Sequence, residues 1–162
     1  MEIRDEPVGF FITWTVYGTF LQGDARWWKK RNAGEQLPQP LLEQWHRNRL
    51  NHDVILLNED LRKVVESEIE DHCERRDWKL WAVNARTNHV HVVVTASGVK
   101  PEKVRDQLKA NSTRGIRQID SRFTERPVWT TKGDVQFVKT EDDLERVVLY
   151  VCEFQDRMEF GK

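Results

Sequence analysis

From Val8 to Tyr17 the chain alternates, with Val8, Phe10, Ile12, Trp14 and Val16 on one side and Gly9, Phe11, Thr13, Thr15 and Tyr17 on the other. A period of two predicts a strand covered on at least one face. The pattern breaks at Gly18 and Gly23-Asp24 and stays irregular to about residue 52, with a short helix expected around Leu41, Leu42 and Trp45. Helical spacing then begins. Asn58 is placed to cap residues 59–76, Glu59 and Asp60 suit the first turn, and Leu61, Val64, Val65 and Ile69 form the apolar stripe. Two strands follow, Trp78 to Ala85 and His89 to about Thr95, with only Arg86-Thr87-Asn88 between them. So tight a connection makes them an antiparallel hairpin. Pro101 opens a helix, at least one strand lies between Pro127 and Val138, and Thr140 with Asp143 starts a last helix striped by Leu144, Val147, Val148 and Val151.

Without the irregular segment the order is βαββαβ plus one helix. The expected fold is therefore α+β: a ferredoxin-like antiparallel sheet with helices on one face and an extra C-terminal helix carrying Tyr150. A chain of 162 residues fits a single domain, 1–162, with an irregular basic and aromatic insert at about 24–52.

Composition narrows the class. No apolar run approaches the ~20 residues that span a bilayer, and the acidic start Met1-Glu2-Ile3-Arg4-Asp5-Glu6 lacks the apolar core of a secretory signal, so a cytoplasmic location is expected. Cys73 and Cys152 lack metal or redox spacing and read as buried thiols. A net charge of −1 excludes a surface that coats nucleic acid throughout, but the cations are clustered. Arg26-Trp27-Trp28-Lys29 suits phosphate contact with base stacking, and equally suits a solvated loop whose tryptophans fold back on the core. In the helix after Pro101, Lys103, Lys109 and Arg114 belong to a run of cations beside a thin stripe of Val104 and Leu108. That face is a candidate for backbone phosphates, or simply a solubilising surface.

The candidate chemistry sits in Asn88-His89-Val90-His91-Val92-Val93-Val94. In a strand, residues two apart share a face, so both imidazoles project together as a pair of metal ligands on a rigid support. Taken alone, such a pair is more often a decorated strand. Far down the chain Tyr150 falls beside the apolar stripe of the last helix, and Glu153, three residues on, shares its side. His72 has no partner at ligand spacing and reads as structural.

These motifs resemble the single-tyrosine HUH transposases of small insertion sequences and their REP-associated relatives. The likeness rests on Asn88-His89-Val90-His91-Val92-Val93-Val94, on Tyr150-Val151, on the opening strand with Thr13-Trp14-Thr15 and on the element order, and so spans nearly the whole chain. Three departures stand out. Thr87 occupies the place of the usual proline, Phe154 stands where members carry a Gln or Asn as third ligand, and the insert at about 24–52 has no assigned role. Glu153 is the expected substitute ligand. Gln155 qualifies only if the helix deforms, since at the ordinary pitch it projects about 140° from Tyr150.

The resemblance implies metal-dependent cleavage and rejoining of single-stranded DNA, with recognition of hairpins at element ends. His89, His91 and Glu153 would hold Mg²⁺ or Mn²⁺, and Tyr150 would form a 5′-phosphotyrosine. It also implies a homodimer, found with the nucleoid when bound to DNA. Two alternatives remain at this level: a non-catalytic, domesticated DNA-binding protein of the same fold, and a histidine-triad nucleotide hydrolase, whose third histidine would fall at Val93.

Overall fold

The structure, a computed structural model, describes residues 6–19 and 52–154, the side chain of Phe154 apart. Four strands form one sheet: β1 (Gly9–Thr15), β2 (Lys79–Ala85), β3 (His89–Thr95) and β4 (Asp134–Val138), in the order β2-β3-β1-β4. Every pairing is antiparallel. Helices α1 (Glu59–Arg76) and α2 (Pro101–Ile119) provide the two crossovers, and α3 (Glu141–Leu149) follows β4. This is the expected βαββαβ order with one more helix. The insert at about 24–52, with Arg26, Trp27, Trp28 and Lys29, lies outside the described residues save for its last position, as does Gln155.

The two faces of the sheet are built differently. Phe10, Ile12, Trp14 and Val16 of the first strand segment join Val90, Val92 and Val94 of β3 beneath Leu61, Val65, Ile69 and Cys73 of α1 and Val104, Leu108 and Ile116 of α2. Apolar burial of this extent is what holds the domain together. The opposite face carries a smaller cluster of Phe11, Ala82, Val93, Val138 and Val151, on which Val8, Leu144, Val147, Val148 and Tyr150 pack. Helices therefore lie on both faces, α1 and α2 on one and α3 on the other. Strand β1 is buried along its whole length. Val8 departs from its expected side: it precedes the strand, where alternation no longer applies, and packs with the smaller cluster.

Local chemistry explains the helix ends. Asn58 accepts from the Leu61 N–H at 2.9 Å and Thr140 from the Asp143 N–H at 3.1 Å, each satisfying an amide that the helix leaves unpaired. α1 ends at Asp77 in the left-handed conformation (φ 59°). Glu66 is half-buried and accepts from the Ala85 N–H at the end of β2 (2.9 Å). His72 is structural, as its isolation suggests: it bonds Gln107 and Asn111 of α2 (2.8 and 3.2 Å) and meets the Trp78 ring edge to face. Cys73 is buried, and burial raises its thiol pKa to about 11. Cys152 is exposed, contrary to expectation, because it falls on the outer side of the turn that follows α3.

α2 carries more apolar contact than its large residues suggest. Gly115 and Ser112 are buried, and a Cβ at Gly115 would stand 2.7 Å from Glu68 Cγ and 2.9 Å from Val64 Cγ1. The absent side chain lets α1 and α2 approach. No described helix is long and apolar enough to cross a membrane.

Candidate active site

Alternation along β3 sends His89 and His91 to the face opposite α1 and α2. Across the sheet, Thr15 pairs with His89 and Thr13 with His91 on β1, while Asn84 pairs with His91 on β2. The two imidazole centroids are 4.6 Å apart and nearly perpendicular. His91 is buried and His89 half-buried, so the pair opens outward at the hairpin turn.

Each ring is held through Nδ1. Asn88 Oδ1 lies 2.7 Å from His89 Nδ1, and Thr13 Oγ1 lies 2.8 Å from His91 Nδ1. An amide oxygen only accepts, so His89 donates from Nδ1; the Thr13 hydroxyl is able to accept in the same way. With Thr13 accepting, as Asn88 does, Nε2 of each imidazole is the nitrogen suited to ligate a metal, and the bond at Nδ1 fixes the ring orientation. The donor set fits a divalent cation in two of its ligands.

The third ligand is a different matter. Among the described residues, no three of His, Cys, Asp and Glu stand close enough together to hold a metal. Glu153, the expected third ligand, is exposed and does not complete a set with His89 and His91. The physical reason lies in the backbone. α3 stops at Leu149, and Tyr150–Phe154 continue as a π-helical turn. There the hydrogen-bond step lengthens from four residues to five, so the α-helical spacing that put Glu153 beside Tyr150 does not apply.

Tyr150 itself reaches the histidines. Its ring centroid lies 5.8 Å from that of His91 and 6.2 Å from that of Phe11, edge to face in both cases. Half-buried at the rim of the smaller cluster, it sits at the boundary its helical position implied. The turn is tied to the sheet by Asn84, whose Nδ2 donates to the Val151 carbonyl at 2.8 Å. Arg86, buried at the end of β2, donates to Asn84 Oδ1 at 3.5 Å. Sequence reasoning missed Asn84 and Thr13 as site residues. The available signal was a polar side chain at a buried position of an apolar strand.

The candidate DNA-contacting cations of α2 lie across the sheet from the histidines. Lys103 and Arg114 are exposed, Arg114 donating to Asn111 Oδ1 at 2.7 Å. Lys109 is turned inward. Its ammonium donates to the Thr130 carbonyl at 2.8 Å and also to that of Lys132, and burial, with Arg105 nearby, lowers its pKa to about 8. It clamps the loop before β4, where Gly133 (φ +150°) passes so near β1 that a Cβ would stand 2.8 Å from the Thr13 carbonyl oxygen.

A search of curated proteins gives no match. A structure of a REP-associated tyrosine transposase bound to a REP hairpin has the same fold: TM-score 0.53 at 12% identity, over 99% of this chain and 74% of the other. A candidate transposase from Deinococcus radiodurans R1 aligns over 93% of this chain and 95% of its own, at 12% identity and a TM-score of 0.48, too low to carry an argument. The family model described as "Transposase IS200 like" matches residues 49–154, which hold both histidines, Tyr150 and every described element but β1. The chain belongs to the IS200-like transposase family.

Proposed function

We propose that this transposase cleaves and rejoins single-stranded DNA through a covalent bond to Tyr150. The observation that carries the reading is the 5.8 Å approach of the Tyr150 ring to His91, within a chain of this family. The Tyr150 hydroxyl attacks the scissile phosphorus. A tyrosyl O–P bond forms, the bond to the 3′-oxygen breaks, the phenolic proton is lost and the departing oxygen takes one up. The products are a 5′-phosphotyrosine and a free 3′-hydroxyl. Because one phosphodiester replaces another, rejoining needs no nucleotide cofactor.

His89 and His91 would hold a divalent cation, Mg²⁺ or Mn²⁺, which when bound supplies charge stabilisation at the phosphate. Asn88 sets the tautomer of His89, and Thr13 orients the His91 ring. Glu153 needs a change in the π turn to join them, and Gln155, beyond the described residues, is the alternative third donor. Phe11 and the apolar residues around it shield one side of the tyrosine from water. Hairpin DNA is the proposed substrate, as the related tyrosine transposase was solved on a REP hairpin. The exposed Lys103 and Arg114, with Arg26, Trp27, Trp28 and Lys29, are the proposed contacts to its backbone and unpaired bases. A homodimer supplying two tyrosines would allow paired cleavage at both element ends.

Labelled single-stranded hairpin DNA with Mn²⁺ tests this directly. Wild type should form a denaturation-resistant protein–DNA adduct, Tyr150→Phe none, and His91→Ala at least about a hundredfold less. Adduct formation by Tyr150→Phe, or none by wild type, rules the mechanism out. Hairpin binding without any adduct would make the chain a non-catalytic DNA-binding member of the same fold. The histidine-triad alternative has no support in the geometry, since Val93, at the third position, is fully buried in the smaller apolar cluster.

A further inference from the structure

A π-helical turn shifts the hydrogen-bond step of its backbone, and a carbonyl displaced from the regular ladder must find another donor or lose its solvation unpaid. At Val151, immediately after Tyr150, an added donor is a side chain from the sheet: Asn84 Nδ2, at 2.8 Å and buried. Asn84 is also the β2 residue paired with His91. One side chain thus stands beside a histidine and holds the backbone next to the tyrosine. Its amide has no choice of orientation. A guanidinium only donates, so Oδ1 faces Arg86, and a carbonyl only accepts, so Nδ2 faces Val151.

We propose that Asn84 is a positioning residue that sets the reach of Tyr150 to the histidine pair by clamping the Val151 carbonyl to the sheet. Its consequence for activity rests on the tyrosine chemistry proposed above; the clamp itself does not. The apolar cluster under α3 is small, and its contacts set which side of the helix meets the sheet but are not directional. The amide bond is directional, and it acts one residue from the nucleophile. Loosening it should leave DNA binding intact while the attacking oxygen spends less time in line with phosphorus.

Asn84→Leu removes the donor while keeping the branched shape, and Asn84→Ala removes it without adding bulk. In both, backbone amide hydrogen exchange over residues 147–154 should quicken at least tenfold, while residues 101–119 keep their wild-type exchange and so certify folding. The adduct-forming rate at saturating hairpin DNA should drop at least tenfold, with the Kd for that DNA changed less than twofold. A purely structural role would move binding and exchange across the whole domain together. Unchanged exchange over 147–154 overturns the clamp, as does an unchanged adduct rate. If wild type forms no adduct, the tyrosine mechanism fails, and the exchange measurement alone decides the clamp.

Discussion

Thr13 and His91 face one another across β1 and β3, and their 2.8 Å bond joins the middle strand to the candidate site. A hydroxyl there does what packing cannot: it fixes the orientation of the imidazole by a directional bond. Thr13→Val keeps the shape and removes the oxygen. The Mn²⁺ concentration giving half-maximal adduct formation should then rise about 10- to 100-fold, with the fold stability little altered; an unchanged Mn²⁺ requirement would show that the bond has no part in ligation. At this scale the sequence was only half informative. Two histidines at a spacing of two, inside a β-branched run, declare a shared face by parity alone. Thr13 and Asn84 carry no such mark, because a polar residue in a strand reads alike whether it meets water or a buried partner. The placing of Glu153 beside Tyr150 assumed α-helical pitch through a turn that is π-helical.

Among elements, α2 shows how a cation-rich surface can mislead. Its long charged residues suggested a helix given over to solvent or a polyanion, yet Ser112 and Gly115 complete its buried side, and small residues barely register in an apolar stripe. Lys109 likewise serves the fold by holding the Thr130 and Lys132 carbonyls. Its pKa, lowered by burial to about 8 from 10.5, fixes the sign of a pH effect. The unfolded chain binds the proton more tightly. The folded state is therefore penalised below pH 8 and gains stability as pH rises from 8 towards 10.5. Comparison with Lys109→Met, by urea unfolding, should isolate this: the wild type's advantage over the variant grows between pH 8 and 10. A constant or shrinking difference would contradict the assignment. The caps at Asn58 and Thr140, the hairpin and the last helix were all readable beforehand, since each depends on chemistry within a few residues.

Over the whole molecule, the βαββαβ order could be read once the irregular segment was set aside, and the stripe of the last helix marked a second face to be covered without saying which sheet residues it meets. That face exists because α3 folds back across the sheet, a long-range event with little local signature. The topology also has a consequence in time. The earliest described strand is an inner one, and its partners come much later: Thr13 meets His91 78 positions on, and Thr15 meets Thr130 115 positions on. At ribosomal speed that second interval is roughly 6–23 s. Until β3 emerges β1 has no partner strand, and throughout the interval the histidines have no Tyr150. Arrested nascent chains exposing residues only as far as about 80 should accordingly show unprotected amides along β1, and protection there would disprove the dependence. Because Tyr150 lies 59 positions beyond His91, the proposed nucleophile is made only after both histidines.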